Sequence, residues 1–159
     1  MTEENGNEYP NENEVSFEMP KAFDEIEEGK CADDGVYTLM LKTAPYTKQN
    51  NAKTGDNLLL DLMITEDVDE NNGIVLTQYL PFPNSSDVGK TTRNGQPMID
   101  WKMQNIKENV EKLGGTIEGK KFSIPEFAMC RAKVVRLFSE ESPDKPYNRI
   151  EGGLMMYEG

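Results

Sequence analysis

Apolar and polar positions alternate along much of this chain. In residues 36–43, Tyr37, Leu39 and Leu41 alternate with Thr38, Met40 and Lys42, the period of a strand with one buried face. Residues 58–65 repeat the pattern, with Leu58, Leu60, Leu62 and Ile64 on one side and Asp61 and Thr65 on the other. The polar turn DVDENNG leads to IVLTQYL at 74–80, and its Asn-Gly ending suits a hairpin. Three antiparallel strands in meander order are therefore predicted. PFPNSSDVGKTTRNGQPM, rich in Pro, Gly and Ser, follows as a long loop.

The period then changes. Ile99, Met103, Ile106, Val110 and Leu113 fall on one helical stripe, with Asp100 as N-cap and Gly114 and Gly115 as the stop, so a helix is predicted over 100–113. Trp101 points roughly away from that stripe. After a turn at GGTIEGKK, residues 127–138 (FAMCRAKVVRLF) read as a fourth strand. Residues 147–157 (YNRIEGGLMMY) read as a fifth, weakened or bulged at Gly152 and Gly153. SEESPDKP between them is a loop. Three strands, a helix and two strands is the order of the OB-fold, a five-stranded Greek-key barrel whose helix between strands three and four plugs its open end. The expected fold class is thus mainly β, a five-stranded OB-fold-like barrel with one helix.

One connection is out of proportion. APYTKQNNAKTGDN, residues 44–57, joins the first two predicted strands, although a hairpin usually needs only two to five residues. It is expected to be a long polar loop carrying Tyr46, Lys48 and Lys53. At the front, MTEENGNEYPNENE is rich in Glu, Asn and Pro with few large apolar residues, so residues 1–14 are expected to be a flexible acidic leader to a domain spanning 15–159. Val15, Phe17, Phe23 and Ile26 are expected to dock on the body as a short strand or helical turn, and Asp33, Asp34 and Gly35 to make a turn.

Length, 159 residues, suits one domain with a real core. No apolar run approaches a membrane span, and the N-terminus lacks the pattern of a secretory signal, so a soluble, cytoplasmic protein with no membrane partner is expected. Cys31 and Cys130 are too few and too far apart for a disulfide framework or a cysteine zinc site, and histidine is absent. The formal net charge is −12. Its distribution matters more: residues 1–34 hold twelve acidic side chains against Lys21 and Lys30, while the remainder holds seventeen acidic and fifteen basic side chains. A body this nearly balanced can still gather its cations on one face.

Familiar chemical motifs fail on inspection. GKT at 89–91 lacks the glycine that a phosphate loop needs at position 84, where Asn84 stands. DVDENNG lacks the glycine and closing glutamate of a calcium loop, having Asn72 and Gln78 instead. Asp61, Glu66, Asp67 and Asp69 cluster in sequence, but alternation sends neighbours to opposite faces. No catalytic constellation, metal site or cofactor motif can be assembled, and a non-enzymatic protein is expected.

Aromatic and basic residues remain, interleaved on strands and loops. Binding a single strand of nucleic acid without sequence preference needs cations along the phosphates and flat rings under the bases. Arg131 and Lys133 share a face of the fourth strand because they are two apart, and Tyr147 and Arg149 share one on the fifth. Lys42 and Tyr79 can extend that face, Tyr46, Lys48 and Lys53 can arch over it from the long loop, and Trp101 caps the barrel or stands beside the groove. Each also has a plainer reading: an exposed lysine is usually just solvated, and a tyrosine is often core, the better reading for Tyr37.

With these residues in view, the chain resembles a family of phage and prophage OB-fold single-stranded DNA-binding proteins. The shared features are DDGVYTLMLKTA, the loop TKQNNAKTGDN, the strand LLLDLMIT, the ending YLPFPN, LGGTIEGKKF after the helix, and the pair FAMCRAKVV and PYNRIEGG. The resemblance implies a DNA-binding protein of phage replication or recombination in a host bacterial cytoplasm. Many single-strand-binding proteins end in an acidic tail that recruits partners; here the acidic segment is at the front, and residues 1–14 are expected to act as that tail, competing for the groove or recruiting replication or recombination enzymes. Self-association along the strand is a further expectation. The competing expectation is an acidic interaction or inhibitor protein that binds a basic protein rather than DNA.

Overall fold

The computed structural model describes residues 14–26, 30–66, 70–141 and 143–158. Apart from Glu14, the expected acidic leader lies outside the described residues, as do Asp67 and Asp69. Among the described residues the chain is mainly β and antiparallel, with one α-helix. Its strands are β1 (Gly35–Leu41), β2 (Tyr46–Gln49), β3 (Asp56–Thr65), β4 (Val75–Pro81), β5 (Thr116–Glu118), β6 (Lys121–Ser123), β7 (Met129–Leu137) and β8 (Tyr147–Met156), and α1 spans Met98–Lys112 between β4 and β5. None of its described helices is long and apolar enough to cross a membrane.

The described residues form eight strands where five were expected, for two reasons. The residues read as a long loop instead add β2 to the sheet: Tyr46 stands opposite Leu59 and Gln49 opposite Asp56. Only the tip is a turn, closed by Asn50, which receives the Thr54 amide on Oδ1 and donates from its own amide to the carbonyl of Gly55. β1 and β2 lie along one side of β3, at its Leu62–Thr65 and Asp56–Leu59 ends, while β4 runs along the other. They are two parts of one run, interrupted where Pro45 has no N–H to offer a ladder. The second reason is GGTIEGKK, which is a β5–β6 hairpin rather than a simple turn.

The six-stranded sheet continues from β1 to β7 and from β7 to β8, but β8 and β4 do not pair, so the sheet does not close. Between these two strands runs a groove of about 700 Å³. Alternation fills the interior as the period predicts: Tyr37, Leu39 and Leu41 of β1, Leu58, Leu60, Leu62 and Ile64 of β3, and Cys130, Ala132 and Val134 of β7 all belong to the core. Large faces small across β1 and β7, with Tyr37 opposite Ala132 and Leu39 opposite Cys130, which lets the side chains interdigitate. Tyr37 is core as expected, its hydroxyl donating to the Asp33 carbonyl at 2.6 Å.

The helix begins two residues before the expected Asp100 cap, after Pro97, and its stripe of Ile106, Val110 and Leu113 is buried. Gly114 takes φ 74°, and the amide of Gly115 donates to Val110. A side chain at Gly115 would run into the Ser123 carbonyl, so only glycine lets the helix end meet the β5–β6 hairpin. β8 is bulged where expected: Ala132 faces Leu154 but Lys133 faces Glu151, with Gly152 and Gly153 at φ 79° and 83°.

The long loop before α1 is not slack. Asp87 sits in a 3-10 turn, accepts the Asn84 amide at 2.9 Å and pairs with Lys102 of α1 at 2.9 Å. The Asn84 backbone bond first, then Lys102, holds the Asp87 carboxyl below its ordinary value. The segment leading into β1 is also tied: Asn148 exchanges two hydrogen bonds with the Ala32 backbone, and Arg136 pairs with Asp33 at 2.6 Å. Val15, Phe17 and Phe23, by contrast, do not dock; they stand exposed on a segment without strand structure that bends at Pro20 and Lys21 and carries a 3-10 turn at Phe23–Glu25, and Ile26, also exposed, borders the β4–β8 groove.

Two outcomes follow for the folded body. A carboxyl with a lowered folded pKa stabilises above its ordinary value of 3.8 and loses that contribution as pH falls through the lowered one. Asp87→Asn should therefore melt below the parent at neutral pH, the gap closing in strong acid; thermal unfolding followed by circular dichroism across pH measures this. Cys130 is fully buried, and burial pushes its thiol up to about 12. In native protein a thiol reagent should titrate Cys31 alone, with Cys130 reacting only in denaturant.

Candidate nucleic-acid interface

Because even-numbered residues of β3 fill the core, its odd-numbered residues face outward. Leu59 is one of these, yet it is only 2% exposed and lies outside the core cluster. Its cross-strand neighbours are Tyr46 on β2 and Tyr79 on β4. The two rings flank and shelter Leu59 while remaining 41% and 57% exposed themselves. The result is a Tyr46–Leu59–Tyr79 row across three strands, an apolar floor with two accessible rings. The next row holds Lys48, Asn57 and Pro81.

On the other flank of the row stands Asp61, which accepts from the hydroxyls of Tyr46 at 3.3 Å and Thr77 at 2.7 Å. This bond fixes the Tyr46 ring. Desolvation first, and then the Asp61 carboxylate, raises the Tyr46 pKa above its ordinary 10.0, so the phenol stays protonated and donating near neutral pH.

The β4–β8 groove opens beside this platform. Tyr147 and Arg149 line it, as expected of a shared face, together with Lys30 and Lys145, which the sequence reading did not single out. Thr77 and Gln78 of β4 form the opposite wall, directly before Tyr79 in the chain. Asp144 also lines the groove, so its charge is mixed with a basic excess.

Arg131 and Lys133 do share the outer face of β7, and Arg149 lies close by on β8, opposite Val135. Lys133, however, is paired with Glu151 at 3.0 Å. Arg131 stands in the row of Thr38 and Thr65, six residues along β3 from Leu59 and hence roughly 20 Å from it at the rise of an extended chain. Lys42 is exposed at the break after β1, beside a small cavity that it shares with Phe127. Lys53 sits in the β2–β3 turn with φ 58°. Trp101 stands apart: it lines a shallow cavity with Gln96, Gln104 and Glu108, and none of the other candidates lines it.

Phe127 is the aromatic residue the sequence reading missed. It is exposed at 63% with φ 54°, two residues before β7, and lies outside any strand, so alternation gave no signal of its position. Among the described residues no group of three or more His, Cys, Asp or Glu side chains could hold a metal ion. No protein-family model matches the chain, and no curated protein sequence matches it.

Proposed function

We propose that this protein binds single-stranded DNA, largely without sequence preference, and acts without catalysis. The observation that carries the reading is the exposed Tyr46–Leu59–Tyr79 row, bordered by the lysine-bearing β2–β3 hairpin on one side and by the groove with Lys30, Lys145 and Arg149 on the other. Two rings on a rigid floor offer bases a place to stack, and the flanking cations lie where a phosphate backbone would run. The fixed orientation of Tyr46 through Asp61 favours stacking by reducing the freedom lost on binding.

The OB-fold supplies the frame for this reading. If β1 and β2 count as one bent strand, the pairings β1 with β3, β3 with β4, β1 with β7 and β7 with β8, with α1 between β4 and β7, follow that topology. The β2–β3 and β7–β8 connections then correspond to the two loops that flank the ligand strand in oligonucleotide-binding members. The setting in phage replication or recombination rests on the resemblance of sequence alone.

Fluorescence anisotropy of a labelled dT oligomer tests the reading. Each stack is worth ~1–3 kcal/mol, so Tyr46→Ala with Tyr79→Ala should weaken binding by about 30-fold or more, whereas Tyr46→Phe, which keeps the ring, should cost far less. Failure of the parent protein to shift the oligomer at low salt would remove the proposal and favour a basic protein as partner.

The cations give a separate readout. Removing one phosphate contact should flatten the plot of log K against log salt by ~0.7 for a single strand. Lys48→Ala and Arg149→Ala are each expected to do so. Lys133→Ala should do less, because its ammonium already has Glu151.

A further inference from the structure

Residues 14–26 present a contradiction of surface chemistry. Val15, Phe17 and Phe23 are 75%, 80% and 74% exposed, and Met19 and Ile26 are 48% and 59% exposed. Val15, Phe17 and Met19 stand within five residues of one another, with Phe23 and Ile26 shortly after. Glu14, Glu18, Asp24 and Glu25 accompany them against a single basic residue, Lys21. Large apolar side chains left this exposed so close together mark a segment that a partner can cover.

The body carries a matching surface. Between α1, the β5–β6 hairpin and the end of β4 lies a groove of about 500 Å³, within the range that accepts apolar ligands. Phe82, Met103, Ile106 and Phe122 are among the residues that form it, and Lys107, Lys120 and Lys121 line it without any acidic side chain. Met103 belongs to the apolar stripe of α1 but remains exposed here, so the stripe runs out from under the core into the groove. None of residues 14–26 lines this groove. Ile26 lines the separate β4–β8 groove instead.

We infer that the acidic, apolar segment Glu14–Glu25 of one copy docks in the lysine-rimmed groove of a second copy. Charge complementarity selects the pairing: a segment with net negative charge meets a rim of three lysines, and apolar side chains on both partners leave water together. Within a single chain, segment and groove both stay uncovered, and a second copy covers both. The contact is head to tail, since each copy offers a segment at one place and a groove at another. Such contacts propagate into chains unless a rotation closes them. The inference needs no nucleic acid and stands apart from the DNA-binding reading.

Sedimentation velocity of the full chain across a concentration series, without DNA, tests it. The parent should associate reversibly as concentration rises. Phe17→Asp should weaken that association by about tenfold or more, as expected when one buried aromatic side chain is lost. Phe17 is exposed in the single chain, so this change leaves the body folded, which a melting curve checks. Lys120→Glu with Lys121→Glu should also weaken association, and adding Glu14→Lys and Glu18→Lys should restore it. A parent that stays monomeric throughout, variants that associate like the parent, or a photo-crosslinker at position 17 that reaches the groove of its own chain would each overturn the inference.

Discussion

Strand β3 is the constraint on which the rest depends. Among the described residues it alone pairs with three other strands, and its ten residues must satisfy β1, β2 and β4 in one register. Leu58, Leu60, Leu62 and Ile64 set that register by facing the core, each burial worth ~1.5–3 kcal/mol. A slip of one residue would turn all four to water, so the alternatives are heavily disfavoured. Leu59 is then forced outward, where only the neighbouring strands can shelter it. The tyrosines of β2 and β4 stand in the two places that do so. The platform is thus a by-product of the core: the same alternation that buries four residues presents two rings on the opposite face.

An open sheet needs its free edges managed, because unpaired strand edges invite association. Here the segment before β1 is held against β8 by the amide of Asn148, and Arg136 fastens Asp33 and the Cys31 carbonyl beside it. Lys30 and Cys31 consequently line the gap between β4 and β8. The bulge at Gly152 and Gly153 shifts the register within β8, which bends the strand at that point. β4 and β8 stay unpaired, and the gap between them remains a groove with Lys30, Lys145 and Arg149 on its walls.

Much of this was legible because a period of two or of 3.6 survives in the residues themselves. The inner faces of β1, β3 and β7 and the buried stripe of α1 fell where alternation put them, and two adjacent glycines gave away the bulge. β2 was hidden because YTKQ is exposed throughout and has no alternation to detect; only a partner strand reveals it. The β5–β6 hairpin was hidden because its strands, TIE and KFS, are three residues long, too short for a period to stand out. The docking expected of Val15, Phe17 and Phe23 failed on different grounds. Hydrophobicity shows that a side chain is better covered, but it does not name the surface that covers it. Likewise parity placed Arg131 and Lys133 on one face correctly, yet Glu151 opposite Lys133 became visible only once the two-residue shift in β8 was known.

The partner that each cation has also separates them by what they can do. Lys102 is nearly buried against Asp87 and anchors a loop, so removing it from its partner would strand a carboxylate with little access to water. Arg136 is similarly engaged in holding the segment before β1. The Lys133–Glu151 pair is half exposed on both sides, and such surface pairs are worth only ~0–1 kcal/mol. A phosphate could replace Glu151 at small cost, because the ammonium exchanges one anion for another without leaving water. The acidic partner would therefore lower the affinity of this part of the face without closing it. Binding energy would be concentrated instead where rings and a rigid apolar floor occur together.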